Sequence, residues 1–513
     1  MMTDTAVIEI SRDRNPFAQD GVARDDSGTL YYTDVPATLI DVLCDRATAR
    51  PDDEAVVELG GRRLTYGELW HAAARVAGGL RADGVATGDR VAVRYAAGAD
   101  WVLAYWGTLL SGGIVVAVNT RSAEPEVAYV LEDAGVTVDL APGTPLPDGE
   151  PFVVDTVTAD DVGALFYTSG TTGRPKGVPT THKAFVTNAE NMIRCSGISR
   201  DVGADYRTLI SVPLFHVTGC NSQLLVAAYV GGTSVIMPQL DVAGLPDVIV
   251  GERIGYVITV PAVYNLLLRH PAFADADVSG VRVVGYGGAP VAPSTVQQIK
   301  AAFGEATAMN GYGMTETASL ITVLPDRDAV DHADSVGYAV PSVDIGIVPL
   351  SDDTTIGELV VRGANVTTGY WARPDADATT IIDGWLHTGD VVRVDDAGRV
   401  HVVDRIKDII NRGGENVSSI EVEAVLLSAP GVVDAAVIPV PDEVMGEKVG
   451  AVLVSESGDL DLDAVLRHCR ENLADFKIPQ FAQVSSEALP RNAGGKLLKN
   501  RLRGEVEWGD PLR

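Results

Sequence analysis

Residues 165–177 read Leu-Phe-Tyr-Thr-Ser-Gly-Thr-Thr-Gly-Arg-Pro-Lys-Gly, an apolar strand pattern that runs into a loop of small and hydroxyl-bearing residues. Glycines let backbone N–H groups close around phosphate oxygens, hydroxyls add donors, and a lysine adds positive charge. The loop differs from a Walker A loop, because Pro175 stands where that motif has glycine. Taken alone, the loop has a second interpretation, an ordinary surface turn. The candidate phosphate-binding residues are Thr168, Ser169, Gly170, Thr171, Thr172, Gly173 and Lys176.

Alternating helix and strand patterns surround this loop. Residues 65–68 form a capping box at the start of a helix that extends to Leu80, and short apolar runs follow between helical segments. Strands that alternate with helices predict an α/β fold of mainly parallel sheets covered by helices. The runs that predict strands are 91–95, 114–118, 164–167, 208–212, 234–237, 256–260 and 281–286.

The pattern changes twice in the second half of the chain. Beyond Gly337, closely spaced apolar runs separated by Asp-Gly and Ala-Gly turns predict a small antiparallel β unit. After Asp404 the chain has an α+β pattern of its own. We therefore predict an N-terminal arm over residues 1–35, a large domain over 36–404 and a smaller domain over 405–513.

Composition and charge exclude several classes of protein. The chain has 513 residues, 46% of them apolar and 21% charged, which fits a globular protein of about two to four domains. A net charge of −30 argues against nucleic acid and anionic membranes as partners. The four cysteines are far apart in sequence, so we expect neither a disulfide framework nor a zinc site, and we expect a cytoplasmic location. The N-terminus has no apolar segment of the kind found in signal peptides.

One uncharged stretch, residues 101–120, is long enough to span a membrane. Gly112 and Gly113 divide it, however. Apolar residues recur at helical spacing before the glycines, and a mostly β-branched run follows them. The stretch therefore predicts a helix, a turn and a buried strand, and no stable membrane insertion.

The loop and four further segments resemble, in the same order, the motifs of the adenylate-forming superfamily, which includes acyl- and aryl-CoA synthetases, firefly luciferase and the adenylation domains of peptide synthetases. The resemblance covers about residues 36–505. Asp404 is a departure, since the family often has glycine there. The four segments are Gly311-Tyr-Gly-Met-Thr-Glu-Thr317, Gly384-Trp-Leu-His-Thr-Gly-Asp390, Asp404-Arg-Ile-Lys-Asp408 continuing to Gly413-Gly-Glu-Asn-Val417, and Pro490-Arg-Asn-Ala-Gly-Gly-Lys496.

The resemblance implies an enzyme that joins a carboxylic acid to a thiol at the expense of ATP. The carboxylate attacks the α-phosphate, pyrophosphate leaves, and the thiol then takes the acyl group from the acyl-adenylate. Such chemistry needs cations and hydrogen-bond donors aimed at phosphate, and it needs no protein nucleophile. The implied cofactors and co-substrates are ATP, Mg²⁺ and coenzyme A.

The resemblance also assigns the nucleotide site. Glu316 would help to hold Mg²⁺, a hard cation that suits a carboxylate oxygen, and Thr315 would contact the α-phosphate. Tyr312 would stack on adenine, next to Gly313. On residue types alone, Thr315 and Glu316 could instead form a helix cap, and Asp390 and Arg405 could instead form a surface ion pair. The other lining residues of the adenine pocket are Gly287, Gly288, Ala289 and Pro290, and the residues for the ribose hydroxyls are Asp390 and Arg405.

In the C-terminal segment, the resemblance identifies Lys496 as the lysine that bridges the carboxylate and the α-phosphate during adenylation. Lys407 matches the hinge about which a mobile C-terminal lid domain rotates between the two half-reactions. Gly413 and Gly414 would flank the tunnel for the pantetheine arm of CoA. Residues 477–503 hold six basic residues and one acidic residue, a local charge of +5 that suits pyrophosphate or the CoA phosphates.

Residues 213–220 resemble the segment that lines the acyl pocket, where His216 would act as a gate beside the carboxylate. The segments that can be assigned to the pocket contain no Asp or Arg, which argues against amino acids and dicarboxylates. A medium- or long-chain fatty acid, or an alicyclic or aryl carboxylate, fits a mainly apolar cavity. The expected lining residues are Phe215, His216, Val217, Gly219, Gln223 and Tyr286.

Free CoA is the favoured acceptor, because residues 337–363 leave no room for the insertion that marks fatty acyl-AMP ligases. A separate acyl carrier protein stays open as the acceptor, and a homodimer as the assembly. A catalytically inactive nucleotide-binding scaffold is the alternative from a different class. Intact Lys496 and Glu316 argue against that alternative.

Overall fold

The structure, a computed structural model, describes residues 6–168, 174–350, 353–413, 415–455, 458–491 and 497–512. Its largest sheet has nine strands, of which the six central ones are parallel and the outer ones antiparallel. In spatial order the strands are Tyr338–Ala339, Thr322–Leu324, Thr307–Tyr312, Val283–Gly287, Tyr256–Thr259, Arg207–Ile210, Thr233–Ile236, Glu54–Glu58 and Arg63–Thr65.

A second sheet of five strands carries the candidate phosphate loop. Four of its strands are parallel, and the fifth forms an antiparallel hairpin in which Lys176 pairs with Thr168. Residues 169–173, at the tip of this hairpin, lie outside the described residues. In spatial order the strands are Lys176–Thr181, Val162–Thr168, Ile114–Ala117, Arg90–Val93 and Val136–Leu140.

Helices cover these sheets as the α/β pattern predicts. The main hydrophobic cluster joins strands of both sheets with several helices, and a second cluster covers the opposite face of the nine-stranded sheet. The predicted α/β fold class is therefore confirmed. The α-helices before the C-terminal segment are Leu39–Ala49, Tyr66–Ala82, Ala99–Leu110, Glu124–Ala134, His182–Ser196, Val217–Gly219, Leu225–Val230, Leu245–Gly251, Pro261–Arg269, Pro271–Ala274, Pro293–Phe303 and Pro374–Thr380. Shorter turns are the 3-10 helices Gly203–Asp205, Thr315–Thr317 and Asp326–Asp328 and the π-helix Cys220–Leu224.

The uncharged stretch at 101–120 folds as its pattern indicates. A buried helix, Ala99–Leu110, is followed by a turn in which Gly112 has a φ of +82°, and by the buried strand Ile114–Ala117. Glycine suits this left-handed turn because it has no Cβ. Among the described residues, we find no helix with the length and apolar character needed to cross a membrane.

The predicted small β unit is an antiparallel sheet. The arm adds Ile8–Glu9 to one edge of it, and the arm's hairpin of Val22–Arg24 and Leu30–Tyr32 contacts the strand Ile356–Gly363. Ionic contacts also anchor the arm, since Arg24 binds Asp344 through two hydrogen bonds of 2.6 and 3.0 Å. The other strands of the sheet are Val343–Pro349, Ile356–Gly363, Trp385–Val394, Ile381–Ile382 and Val400–Arg405.

The C-terminal segment has its own sheet and its own hydrophobic clusters. All members of these clusters lie at or beyond Ile410. The helix Ser419–Leu427 packs against the strand Val400–Arg405, where Asp404 accepts hydrogen bonds from the backbone and hydroxyl of Ser419. The strands are Glu415–Val417, Ile410–Arg412, Gly446–Val454, Asp434–Asp442 and Phe481–Ser485, and the helices are Ser419–Leu427, Leu462–Asn472, the 3-10 turn Asp475–Lys477 and Lys499–Glu505.

Candidate active site

The candidate site lies at the carboxyl ends of the parallel strands in the nine-stranded sheet, where α/β folds commonly bind ligands. The strands Val283–Gly287 and Thr307–Tyr312 run in register there, with Gly287 opposite Gly311. A Cβ atom on Gly287 would lie only 2.2 Å from the Gly311 carbonyl oxygen. The close approach of the two strands therefore requires glycine at 287. Gly288, Ala289 and Pro290 follow as an exposed rim.

Tyr312, Asp390 and Arg405 come together beside this strand end. The Tyr312 hydroxyl donates a 2.5 Å hydrogen bond to Asp390, and the Arg405 Nε lies 3.1 Å from the other carboxylate oxygen. Burial, with the Asp390 carboxylate beside it, raises the pKa of Tyr312 well above its ordinary value, so the hydroxyl keeps its proton. The structure thus brings together three residues that are separated by up to 93 positions in the sequence, since 405 − 312 = 93.

Glu316 is the buried carboxylate of the site. It lies in the 3-10 turn Thr315–Thr317, and only 6% of its surface is exposed. Its Oε1 accepts a 2.8 Å hydrogen bond from the Tyr370 hydroxyl, while its backbone carbonyl accepts one of 2.7 Å from Thr367 N–H. Burial raises the pKa of Glu316, because the charged form is poorly solvated there.

The phosphate-loop hairpin and Glu316 meet at the segment 367–371. The Lys176 Nζ lies 4.6 Å from the centre of the Tyr370 ring, and Trp371 N–H donates to the Gly177 carbonyl. Tyr370 therefore stands between the lysine and the carboxylate. Thr168, Lys176, Glu316 and the half-buried Thr315 are the described members of the predicted phosphate site, and Ser169, Gly170, Thr171, Thr172 and Gly173 lie outside the described residues.

These residues fit a magnesium ion that arrives with a nucleotide. Within the described ranges, no group of three or more His, Cys, Asp or Glu side chains could hold a metal by itself. Mg²⁺ is commonly bound by one or two carboxylates together with substrate phosphates. A single buried carboxylate, Glu316, with one hydrogen-bond donor suits that arrangement.

The segment expected to line the acyl pocket has a histidine that is neutral at pH 7. Burial, with a smaller effect of the Arg121 charge, lowers the pKa of His216 to about 4. Its ring lies 4.7 Å from the Phe215 ring, and its Nε2 has no hydrogen-bond partner among the residues that the structure describes. The half-buried Val217 and the buried Gly219 follow, and a Cβ on Gly219 would meet the Pro213 carbonyl at 2.4 Å.

Gln223 lies in the π-helix that follows and supports the strand ends. Its amide donates hydrogen bonds of 2.9 and 3.0 Å to the carbonyls of Leu209 and Ile258, which belong to neighbouring parallel strands. These two strands pair only as far as Leu209 and Val257, so the amide bridges them where their own pairing ends.

Tyr286 does not face the acyl segment, and this expectation is corrected. Side chains alternate between the two faces along a strand. Val284 and Tyr286 belong to the second hydrophobic cluster, whereas Phe215 and Val217 pack against the main cluster on the opposite face. Gly285, one position earlier, shares the face of Ile258 instead, where an added Cβ would lie 3.1 Å from that side chain.

Four residues of the site were missed in the sequence. Tyr370 and Asn365 lie in the run after the strand Ile356–Gly363. Asn365 donates hydrogen bonds to the carbonyls of Thr317 and Leu320, on either side of the turn that follows Glu316. The Thr-Thr-Gly at 367–369, which also occurs at 171–173 in the candidate phosphate loop, is the sequence signal that could have pointed to Tyr370. Glu358 accepts hydrogen bonds from Gly389 N–H and pairs with His387, which shapes the turn before Asp390. Arg121 is distant in sequence from the acyl segment, and no local pattern links it to His216.

The C-terminal residues of the predicted site are only partly described. Burial lowers the pKa of Lys407, whose carbonyl accepts a 3.0 Å hydrogen bond from Arg503. Gly413 has a φ of +63°, and a Cβ there would lie 2.4 Å from the Met445 Cε. The positive φ favours glycine at this position, whereas Met445 Cε is the end of a flexible side chain that can move aside. Gly414 and Lys496 lie outside the described residues.

Comparisons with known proteins identify the family. The family model of AMP-binding enzymes matches residues 43–151 and 139–371, and that of the AMP-binding enzyme C-terminal domain matches 421–496. Feruloyl-CoA synthase from an Amycolatopsis species is 38% identical over 483 residues, 89% of this chain and 97% of that protein. Long-chain-fatty-acid–CoA ligase FadD13 from Mycobacterium tuberculosis is 34% identical over 498 residues, 90% of this chain and 97% of that protein.

A solved structure extends the likeness to the fold. The o-succinylbenzoate CoA synthetase from Bacillus subtilis, in complex with its acyl-adenylate intermediate, superposes with a TM-score of 0.83 and 30% sequence identity, covering 91% of this chain and 99% of that one. The resemblance inferred from the motifs is thereby confirmed. The chain belongs to the AMP-binding enzymes, the adenylate-forming family of ligases.

Proposed function

We propose that this protein is an ATP-dependent acyl-CoA synthetase that activates an apolar carboxylic acid as its acyl-adenylate and transfers the acyl group to CoA. The observation that carries the proposal is the buried Glu316 carboxylate, which accepts a hydrogen bond from Tyr370, the residue whose ring Lys176 contacts. A buried carboxylate is costly unless a cation or donors compensate it. The Mg²⁺ that accompanies ATP is such a cation, and when bound it would neutralise charge on the phosphates.

In the first half-reaction, an oxygen of the substrate carboxylate forms a bond to the α-phosphorus of ATP. The bond from that phosphorus to the bridging oxygen breaks, and pyrophosphate leaves with the electron pair. Thr315 and Lys176 are suited to stabilise the negative charge that builds on the phosphates, and Lys496 is assigned the same task by family resemblance. Tyr312, Asp390 and Arg405 would hold the nucleoside.

In the second half-reaction, the thiolate of CoA attacks the acyl carbonyl carbon and AMP leaves with the electron pair. The residues proposed for this step are Gly413 and Gly414, reached after the domain 405–513 rotates as a lid about Lys407. Two observations support such a rotation. The hydrophobic clusters of the C-terminal segment contain only its own residues, and Lys407 lies in the turn between the strands Val400–Arg405 and Ile410–Arg412.

His216 is assigned to the wall beside the substrate carboxylate. With a pKa of about 4 it is neutral at pH 7, so it would act as a hydrogen-bonding wall and not as a cation that binds the carboxylate. Its Nε2 is buried and lacks a partner among described residues, which leaves that atom able to contact a substrate. Phe215 and Val217 supply the apolar part of the same segment.

The test of the function is a panel of carboxylic acids assayed with ATP, Mg²⁺ and CoA. We expect AMP and pyrophosphate as products, with kcat/KM higher for fatty or aryl acids than for malonate or amino acids. Each additional buried methylene is worth about 0.8 kcal/mol, or about fourfold in kcat/KM. Product nucleotides are resolved by chromatography, and thioesters by mass spectrometry.

Three outcomes of this panel, run with CoA and in parallel with a holo acyl carrier protein in place of CoA, would overturn parts of the proposal. ADP and phosphate as products would exclude adenylate formation. A preference for dicarboxylates would exclude the apolar pocket and point to Arg121 as the recognising charge. Transfer to a holo acyl carrier protein in preference to CoA would change the acceptor.

The ribose contact can be tested by changing both the enzyme and the nucleotide. Asp390→Ala removes the carboxylate that joins Tyr312 to Arg405, so we expect the KM for ATP to rise about 10- to 100-fold, the range for hydrogen bonds to a charged group. The variant should also lose any preference for ATP over 2′,3′-dideoxy-ATP. Asp395→Ala is the matched control, because Asp395 binds Arg399 in the same sheet. An unchanged preference in Asp390→Ala would contradict the assignment.

We also propose a cytoplasmic location. All four cysteines lie in described parts of the chain and are unpaired there, as is usual in a reducing compartment. The net charge of −30 favours small-molecule substrates over nucleic acid.

A further inference from the structure

The turn that follows Glu316 has a strained backbone. Ala318 and Ser319 have φ angles of +52° and +138°, in the region that favours glycine. Non-glycine residues in such conformations are costly and persist only where their surroundings enforce them. Both residues are buried, and the Ser319 carbonyl folds so close to Gly313 that a Cβ there would lie 1.5 Å from it. The shape of this turn sets the direction in which the preceding 3-10 turn, with Glu316, enters the site.

Two side chains of the π-helix Cys220–Leu224 hold this turn. The Asn221 Nδ2 donates a 2.9 Å hydrogen bond to the Ala318 carbonyl, and the Ser222 and Ser319 hydroxyls lie 2.7 Å apart. Asn221 is 1% and Ser222 is 3% exposed, so these bonds are formed away from water, where leaving a partner unpaired is expensive.

A third side chain links the π-helix to the other end of the turn. Asn188 donates through Nδ2 to the Asn221 carbonyl at 3.2 Å, and its Oδ1 accepts from Leu320 N–H at 3.1 Å. On the far side of the π-helix, Gln223 is fixed to two strand ends. The π-helix is therefore anchored in the core and can act as a rigid support for the turn. π-Helical turns are rare and occur frequently at functional sites.

We propose that Asn221 and Ser222 are positioning residues that hold the Ala318–Ser319 turn and thereby orient the Glu316 carboxylate toward the metal–nucleotide complex. The proposal rests on the proposed function, because it takes MgATP as the ligand. It also links the two halves of the site, since the π-helix directly follows the acyl segment 215–219. Neither residue needs to contact substrate or nucleotide.

The test compares Asn221→Ala with a matched control, Asn191→Ala. Asn191 lies one helical turn after Asn188, is fully buried, and forms hydrogen bonds of 2.7 and 2.8 Å with Tyr32 and Ser342, neither of which belongs to the turn that follows Glu316. Calorimetric titration gives the affinity for ATP with and without Mg²⁺. We expect Asn221→Ala to weaken binding of MgATP about tenfold and of metal-free ATP less than twofold, a selective loss that a purely structural defect would not produce, with Asn191→Ala close to wild type in both.

A second variant tests the strain directly. Glycine adopts a φ of +52° without steric cost. The double variant Asn221→Ala with Ala318→Gly should therefore bind MgATP at least about threefold more tightly than Asn221→Ala alone. Thermal unfolding midpoints verify that each variant is folded. An Asn221→Ala variant with the wild-type ratio of MgATP to ATP affinity, an equal loss in Asn191→Ala, or no recovery in the double variant would each overturn the positioning role.

The same titrations separate this inference from the proposed function, because they need no carboxylic acid. Selective loss of MgATP binding, in a protein that forms no acyl-CoA from any acid in the panel, would support the inference and overturn the function. Absence of MgATP binding by the wild-type protein would overturn both.

Discussion

Glu316→Gln is expected to slow acyl-adenylate formation about 100- to 1000-fold while the protein stays folded. Losing one group that stabilises charge in the transition state typically costs this much. Glutamine has the same shape and can still accept a hydrogen bond from Tyr370, so only the charge that faces the metal is removed. Pyrophosphate exchange measures this half-reaction, and thioester formation from supplied acyl-adenylate should change little.

Glu190→Gln is the matched control for this prediction. Glu190 is also a buried carboxylate, but it pairs with Arg194 and Arg200 beneath the arm. We expect this variant to lose stability and keep pyrophosphate exchange. Equal loss of exchange in both variants would show that a buried charge as such, and not its position, explains the effect.

The pH dependence of nucleotide binding follows from the same carboxyl group. Burial raises the pKa of Glu316, so the unliganded protein takes up a proton there at a higher pH than an exposed glutamate would. MgATP favours the ionised form, and its affinity should therefore fall as the pH is lowered through this raised pKa. Glu316→Gln should remove the pH dependence of MgATP affinity that comes from Glu316. It should leave the dependence that comes from titration of the nucleotide phosphates.

Folding stability depends on pH in the opposite direction to MgATP affinity. A carboxyl group whose pKa is higher in the folded than in the unfolded state binds more protons when folded, so its contribution to stability decreases as the pH rises above the unfolded value. At neutral pH, Glu316 therefore destabilises the unliganded protein. Glu316→Gln should raise the thermal unfolding midpoint of the unliganded protein at pH 7. Adding MgATP should then raise the midpoint of this variant by less than it raises the midpoint of the wild type.

Lys496→Ala and Gly414→Leu are expected to fail in opposite half-reactions. The family resemblance assigns Lys496 to the adenylation orientation of the lid, where an ammonium would neutralise charge that develops as carboxylate meets phosphate. Its loss should slow pyrophosphate exchange about 100- to 1000-fold and spare thioester formation from supplied acyl-adenylate. A leucine at 414 should instead obstruct the pantetheine arm, keeping exchange and losing thioester formation.

Single-turnover assays of each half-reaction on both variants decide this prediction. Lys477→Ala is the control for a change of charge, since Lys477 lies in the same basic segment but pairs with Glu421 at 2.7 Å. If Lys496→Ala slowed both half-reactions equally, the division of labour between two lid orientations would not hold for this protein.

Periodicity was sufficient to predict most of the fold. The helix Ala99–Leu110, the turn at Gly112 and the strand Ile114–Ala117 follow from spacing and β-branching within a single stretch of 20 residues. The capping box at Thr65 and Glu68 begins the helix that it predicts. These features are local, so the sequence carries them directly.

The errors and omissions at the site are non-local. Tyr286 was assigned to the acyl pocket as one of the residues of a mainly apolar cavity, but the face that a strand residue occupies depends on the phase of the whole strand. Nothing in the local sequence links Asn221 to Ala318, which lies 97 positions away. Arg121 likewise reaches the surroundings of His216 only through tertiary packing.

The strand Ile8–Glu9 has a consequence for how the molecule behaves among its own copies. It covers the backbone of Gly346 and Ile347 at the edge of the small antiparallel sheet, and Arg12 donates to the carbonyls of Pro341 and Val343 farther along that edge. An uncovered sheet edge is a template for pairing with another chain. The arm therefore pairs with this edge and protects it. A protein shortened past Arg12 would expose the unpaired backbone of this edge strand, and we expect such a protein to self-associate by pairing of strands between molecules.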